Sequence, residues 1–181
     1  MKPKVIIITG QIAALKSTIA EKLANDFSAF LLCKDLIKEQ IAFYVKTRNR
    51  EENLGLSKAS VALMNILVSS LLPHVETIIV EANFKKDEYL NLIQTLDSKN
   101  IHYKTIYCYG EMNILYKRYL NRLPHLNQTH QAMGLISENQ FLDSMQYYNN
   151  VFGSLNSIIS LDTSYFNDEV YVKLLEQINN D

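Results

Sequence analysis

Glycine and proline are scarce in this chain: five and three, respectively, in 181 residues. That leaves little room for long flexible linkers, and the length suits one domain, residues 1–181. Cysteine is scarcer still. Cys33 and Cys108 fit neither a CxxC pair nor a zinc spacing, which leaves them as buried free thiols. Charge of one sign is also missing. Lys and Arg number 18 against 19 Asp and Glu, for a net charge of −1, so the footprint of a broad nucleic-acid surface is absent. The apolar run ahead of Gly10 covers only residues 5–9, too short for a signal-peptide core or a membrane span. The expectation is a soluble cytoplasmic protein with no membrane partner. Hydrophobic residues make up 48% and charged residues 20%, an ordinary globular profile. A chain of this length buries roughly 70% of its unfolded surface and needs no disulfide or metal to fold.

What the chain does have is alternation. Residues 5–9 form a continuous apolar run, as in a strand buried on both faces. Further strands are expected at 29–32, 77–80, 103–109 and 157–161. Helical spacing of apolar residues marks 17–27, 35–46, 86–96, 111–123, 137–150 and 168–178. A helix opening at Ser57 and ending before Pro73 is apolar on most sides and is expected to be deeply packed. The polar stretches 47–53 and 124–134 read as loops. Strands separated by helices imply a parallel sheet covered on both faces by right-handed crossovers. The expected fold is α/β: a three-layer α/β/α domain with a five-stranded parallel sheet.

Between the first strand and first helix stands Gly10-Gln11-Ile12-Ala13-Ala14-Leu15-Lys16-Ser17-Thr18. A phosphate-binding P-loop asks for Gly, four residues, Gly, Lys and Ser/Thr. Gly10, Lys16 and Ser17 sit at those offsets; Leu15 stands where the second Gly belongs. In such a loop successive N–H groups make an anion cradle, and the next helix presents its N-terminus to the same anion. The cradle would comprise Gly10, Ala13, Ala14, Leu15, Lys16, Ser17 and Thr18. Lys16 would reach the β- and γ-phosphates of ATP or GTP, and the Ser17 hydroxyl would bind Mg²⁺. A branched side chain suits the glycine position poorly, so Leu15 either shifts the loop or turns its side chain away, at a cost of ~1–3 kcal/mol.

With this loop, Leu32-Cys33-Lys34-Asp35 after strand two and Ile78–Phe84 at strand three, the chain resembles the P-loop small-molecule kinases. These include nucleoside-monophosphate-kinase-like, zeta-toxin-like and predicted AAA-type kinases. Tyr116–Arg122 after strand four and Ile158–Phe166 near the end extend the resemblance over nearly the whole chain. The resemblance implies several roles. Asp35 would contact the acceptor hydroxyl and take its proton; as a helix N-cap it has a second reading. Glu81 would help hold Mg²⁺ through water, although similar kinases more often carry Asp there. Asn83 would orient substrate, and Arg48, with Arg50 in the same polar loop, would help contact the acceptor. Arg118 and Arg122, four apart on one helix face, would lead into a lid around 118–134 and stabilise the transferred phosphoryl group. Asp162 and Thr163 fall in a loop packed against the base, or are simple turn residues. His125 and His130 lack the partners of a zinc site.

Three functions are open at this level. The first is an ATP-dependent kinase acting on a hydroxyl of a small-molecule acceptor. The second is a non-catalytic or weakly binding nucleotide protein, with Leu15 as its main support. The third is a polynucleotide 5′-end or toxin-type kinase, which the near-zero net charge disfavours. The acceptor and the oligomeric state are not legible in the sequence.

Overall fold

The strand at the centre of the molecule, Val5–Gly10 (β1), is buried along its whole length. A computed structural model describes residues 4–125, 136–155 and 157–180. Among them the other strands are Phe30–Cys33 (β2), Ile78–Glu81 (β3), Tyr103–Tyr109 (β4) and Ile159–Asp162 (β5). They form one sheet in the order β2-β3-β1-β4-β5. All four pairings are parallel. The helices are Lys16–Phe27 (α1), Lys34–Tyr44 (α2), Arg50–Leu71 (α3), Lys86–Ser98 (α4), Met112–Arg122 (α5), Glu138–Phe152 (α6) and Asp168–Asn179 (α7). A single helical turn, Leu123–His125, follows α5.

Alternate residues of β1 enter opposite cores, as the two-residue period of a strand requires. Ile6 and Ile8 join Ile19, Ala20 and Leu23 of α1, Leu115 of α5 and Leu174 of α7. Val5 and Ile7 join Val61, Met64 and Val68 of α3 and Leu92 of α4. This is the expected three-layer α/β/α arrangement. Each fully buried Val or Ile here contributes about 1.5–3 kcal/mol, so the sheet centre is the rigid part on which loops are mounted.

Register places the chemistry. Ile8 and Cys33 both pair with Glu81, so β1, β2 and β3 deliver Cys33, Glu81 and the loop after Gly10 to one edge. The chain reverses direction across the sheet at β1, between β3 and β4, which is where ligands bind in open α/β sheets.

Two expectations fail at α3. Residues 47–53 are not all loop, because the helix starts at Arg50 rather than Ser57. The Asn49 side chain accepts from Glu52 N at 2.9 Å, and Glu52 Oε2 accepts from Arg48 N at 2.6 Å. Those two bonds, with Glu51 and Glu52 in the first turn, start a helix from a polar sequence. Nor is α3 deeply packed. By length and composition it could cross a membrane, but it is largely outside the core, with Leu54 and Ile66 exposed. Its apolar breadth exceeds the one face that α2 and β3 cover.

β1 can end where it does only because residue 10 is glycine. Gly10 has φ 138°, and a Cβ there would lie 2.0 Å from the Cys108 carbonyl oxygen of β4. Gly10→Ala is therefore expected to cost about 4 kcal/mol or more, read from the urea midpoint of the purified variant.

Candidate active site

The loop between β1 and α1 takes its shape from left-handed residues. Ala13 has φ 60° and Leu15 φ 53°, while Ala14 between them is not left-handed. Such alternation turns backbone N–H groups inward as an anion nest. Leu15, at the glycine position of the pattern, has φ 53° and ψ 18°, the conformation a glycine adopts readily. Its half-buried side chain packs against the hydrophobic core on the α1 side of the sheet. Of the two outcomes for Leu15, the structure takes the second: the backbone keeps the turn and the side chain goes to the core. The strain is of order 1–3 kcal/mol. No side chain caps α1 and its first turn has no acidic residue, so its leading N–H groups are left for an anion.

Lys16 is buried and its Nζ donates to the Gln11 carbonyl at 2.6 Å, closing the loop on itself. The Ser17 Oγ lies 3.5 Å from Glu81 Oε2, and the Cys33 thiol donates to that same oxygen at 2.6 Å. Burial, then the Glu81 charge, pushes the Cys33 thiol up, so it stays protonated and acts as a donor. Burial also raises the Glu81 carboxyl, with the Lys16 charge pulling it back. Burial lowers the Lys16 ammonium, opposed by Glu81, Cys108 and Asp35 and assisted by Arg122. Asp35 and Arg122 thus stand within electrostatic reach of the lysine. Ser17, Cys33 and Glu81 are joined by contact, and the charges of Glu81, Asp35 and Arg122 all act on Lys16.

A hydroxyl and a carboxylate are the hard oxygen donors that Mg²⁺ takes alongside phosphates and water. Among the described residues no cluster of three or more His, Cys, Asp or Glu forms a metal cage. The donor set therefore fits a cation held largely by its ligand's phosphates.

The other expected residues have placements and partners of their own. Arg118 Nη2 donates to the Ser164 carbonyl at 2.9 Å, tying α5 to the turn after β5; its Nη1 is buried without a partner. Asp162 Oδ1 accepts from Ser164 N at 2.8 Å and from Ser164 Oγ at 2.6 Å, closing the turn after β5. The Thr163 hydroxyl donates to the Tyr109 carbonyl at 2.9 Å. Arg48 and Arg50 are exposed, Thr18 is exposed on α1, and Asn83 is half-buried just past β3. The lid expectation over 118–134, and His130 with it, falls largely on residues 126–135, which lie outside the described residues.

Gln11 escaped the sequence reading. It is 1% exposed. Its Nε2 donates to Asn149 Oδ1 at 2.9 Å and to Tyr107 Oη at 3.3 Å, and its Oε1 accepts from Gly110 N at 3.1 Å. The Tyr107 hydroxyl, pushed up to about 12 by burial and so protonated, donates to the same Asn149 oxygen at 2.5 Å. This side chain straps the phosphate loop to β4 and α6. A glutamine next to a motif glycine carries no warning of partners 96 and 138 residues away.

No family model matches the chain, and no curated protein matches it in sequence. Solved structures do match in fold. A candidate kinase from Chloroflexus aurantiacus aligns at a TM-score of 0.78 with 20% identity, covering 99% of this chain and 100% of that one. An APS kinase from Mycobacterium tuberculosis, solved with AMPPNP and APS, gives 0.65 at 11% identity, covering 99% of each chain. A gluconokinase from Sinorhizobium meliloti gives 0.64 at 13% identity, covering 97% of this chain and 91% of that one. The fold of this chain is that of the P-loop kinases.

Two outcomes follow from the site itself. Gln11→Ala strands the Gly110 N–H and removes the bonds to Asn149 and Tyr107, so it should cost about 2–4 kcal/mol in urea denaturation. Glu81, raised above its ordinary 4.5, contributes stability that is full below that value and is lost as pH rises through the folded value. The stability of Glu81→Gln relative to the wild type should therefore climb as pH rises above 4.5. A flat or falling difference would contradict the burial of this charge.

Proposed function

We propose that the protein is an ATP-dependent phosphotransferase that moves the γ-phosphoryl group to a hydroxyl of a small molecule. One observation carries the reading: Leu15 holds the left-handed backbone of a P-loop glycine while its side chain leaves the cradle for the core. The residue that spoke most against a nucleotide site thus leaves room for one, and this weighs against the non-catalytic alternative.

In this reading the N–H groups of residues 13–17 bind the phosphates of ATP or GTP. Lys16 exchanges the Gln11 carbonyl for a phosphate oxygen. Ser17 and Glu81 would hold Mg²⁺, which supplies charge neutralisation between the β- and γ-phosphates. Asp35 accepts the proton of the acceptor hydroxyl; that oxygen bonds to the γ-phosphorus as the bond to the β-bridging oxygen breaks, releasing the nucleoside diphosphate. Arg122, near Lys16, stabilises the charge that develops on the transferred group. Arg118 holds the turn after β5 through the Ser164 carbonyl and remains, with Arg122, a candidate for that role. Arg48 and Asn83 remain acceptor-side candidates, residues 118–134 the lid, and 1–181 one cytoplasmic domain.

Nucleotide calorimetry with Mg²⁺ tests the donor half. The wild type should bind ATP or GTP at millimolar concentration or better, and Lys16→Ala should weaken this at least about tenfold, or 1.4 kcal/mol. Leu15→Gly should stay within about tenfold of the wild type, because the backbone already occupies the glycine conformation. Loss of wild-type binding would overturn the reading. For the acceptor half, Asp35→Asn should keep nucleotide binding and lose turnover by about 10²-fold or more.

A further inference from the structure

Of the two residues that flank Glu81 across the sheet, only one carries a hydrogen-bond donor. β3 lies between β2 and β1, and register pairs Glu81 with Cys33 on one side and Ile8 on the other. Paired residues of parallel strands present their side chains on the same face. Ile8 offers the carboxylate nothing polar. Cys33 does: its thiol donates to Glu81 Oε2 at 2.6 Å. Ser17 Oγ, from the first turn of α1, lies 3.5 Å from the same oxygen. Cys33 and Glu81 are 8% and 3% exposed, so water has little access to hold the carboxylate in their place.

The two donors differ in what they can do once a cation is present. The Ser17 hydroxyl is itself a cation ligand in the phosphotransferase reading, so its long contact with Glu81 is the one that yields. A Glu side chain has several rotatable bonds, and one that is not held must be ordered when a ligand arrives. A protonated thiol is not a metal ligand. It can hold Oε2 without competing for the cation, and that oxygen keeps further lone pairs. We propose that Cys33 is a positioning residue for the cation site: its thiol keeps the Glu81 carboxylate aimed toward Ser17 in the free protein, so that Mg²⁺ arriving with the nucleotide meets an ordered oxygen. This rests on the phosphotransferase reading and deepens its metal half.

The quantity to measure is how far Mg²⁺ tightens nucleotide binding. Calorimetry with a non-hydrolysable ATP analogue, in Mg²⁺ and in EDTA, gives two dissociation constants for each protein, and their ratio isolates the share of the cation. Cys33→Ala should lower the ratio by about threefold or more, part of the worth of a hydrogen bond to a charged group, with the constant in EDTA unchanged within about twofold. Cys33→Ser, which keeps a donor, should restore most of the ratio. In a Glu81→Gln background the ratio should already be low, and Cys33→Ala should lower it no further, as two residues acting through one contact require. Where Cys33→Ala does not fold, Cys33→Val fills the position without a donor and takes its place. A merely structural cysteine would weaken binding equally in both buffers, or lower Tm and leave the ratio alone. Either result would overturn the proposal, as would Cys33→Ser behaving like Cys33→Ala, or equal effects with and without Glu81. A wild type that binds the analogue equally in both buffers removes this proposal alone; one that binds it in neither removes the phosphotransferase reading and the proposal with it.

Discussion

The site depends on how closely the end of β1 runs past β4. Gly10 lies so near the Cys108 carbonyl that no side chain fits between them. Because the strand can stop there, the following residues turn back over the sheet edge instead of continuing along it. Gln11 then locks that turn from inside, through Gly110, Tyr107 and Asn149. A loop held this way is anchored to the end of β4 and to α6. Its backbone is set by contacts within the free chain, which is the condition for electrostatic preorganisation.

Against that frame the charges at the site are unsettled in the ligand-free chain. Lys16 and Glu81 are both buried, and burial moves each toward its neutral form. Each relieves the other only in part. Lys16 rests on a neutral carbonyl and Glu81 on a thiol and a distant hydroxyl. Partners of this kind are easily surrendered to stronger ones, a phosphate for the ammonium and a cation for the carboxylate. In each case the free protein carries a cost that a bound partner would offset, as functional sites commonly arrange.

Much of this was readable in the sequence because it rests on local periods. Strands such as β1 and helices such as α5 declare themselves by apolar spacing, and Gly10, Lys16 and Ser17 by fixed offsets. Asp35 and Glu81 could be placed because strand ends in a parallel sheet fall at one edge. The unread parts are those in which distant segments meet. Nothing near Gln11 announces Asn149, and nothing near Arg118 announces Ser164. The start of α3 was missed because a capping pair, Asn49 with Glu52, outweighed a polar composition. Leu15 was ambiguous because a branched residue in a left-handed turn is decided by where its side chain can pack, which only the tertiary structure states.

The central claim is that a loop with leucine at the glycine position still cradles a nucleotide's phosphates. A crystal structure with Mg²⁺ and a non-hydrolysable ATP analogue addresses it directly. The account predicts phosphates against the N–H groups of residues 13–17, Lys16 moved from the Gln11 carbonyl to a phosphate oxygen, and Leu15 still left-handed with its side chain in the core. An analogue bound elsewhere, or Lys16 still on Gln11 with the Leu15 side chain filling the cradle, would contradict it.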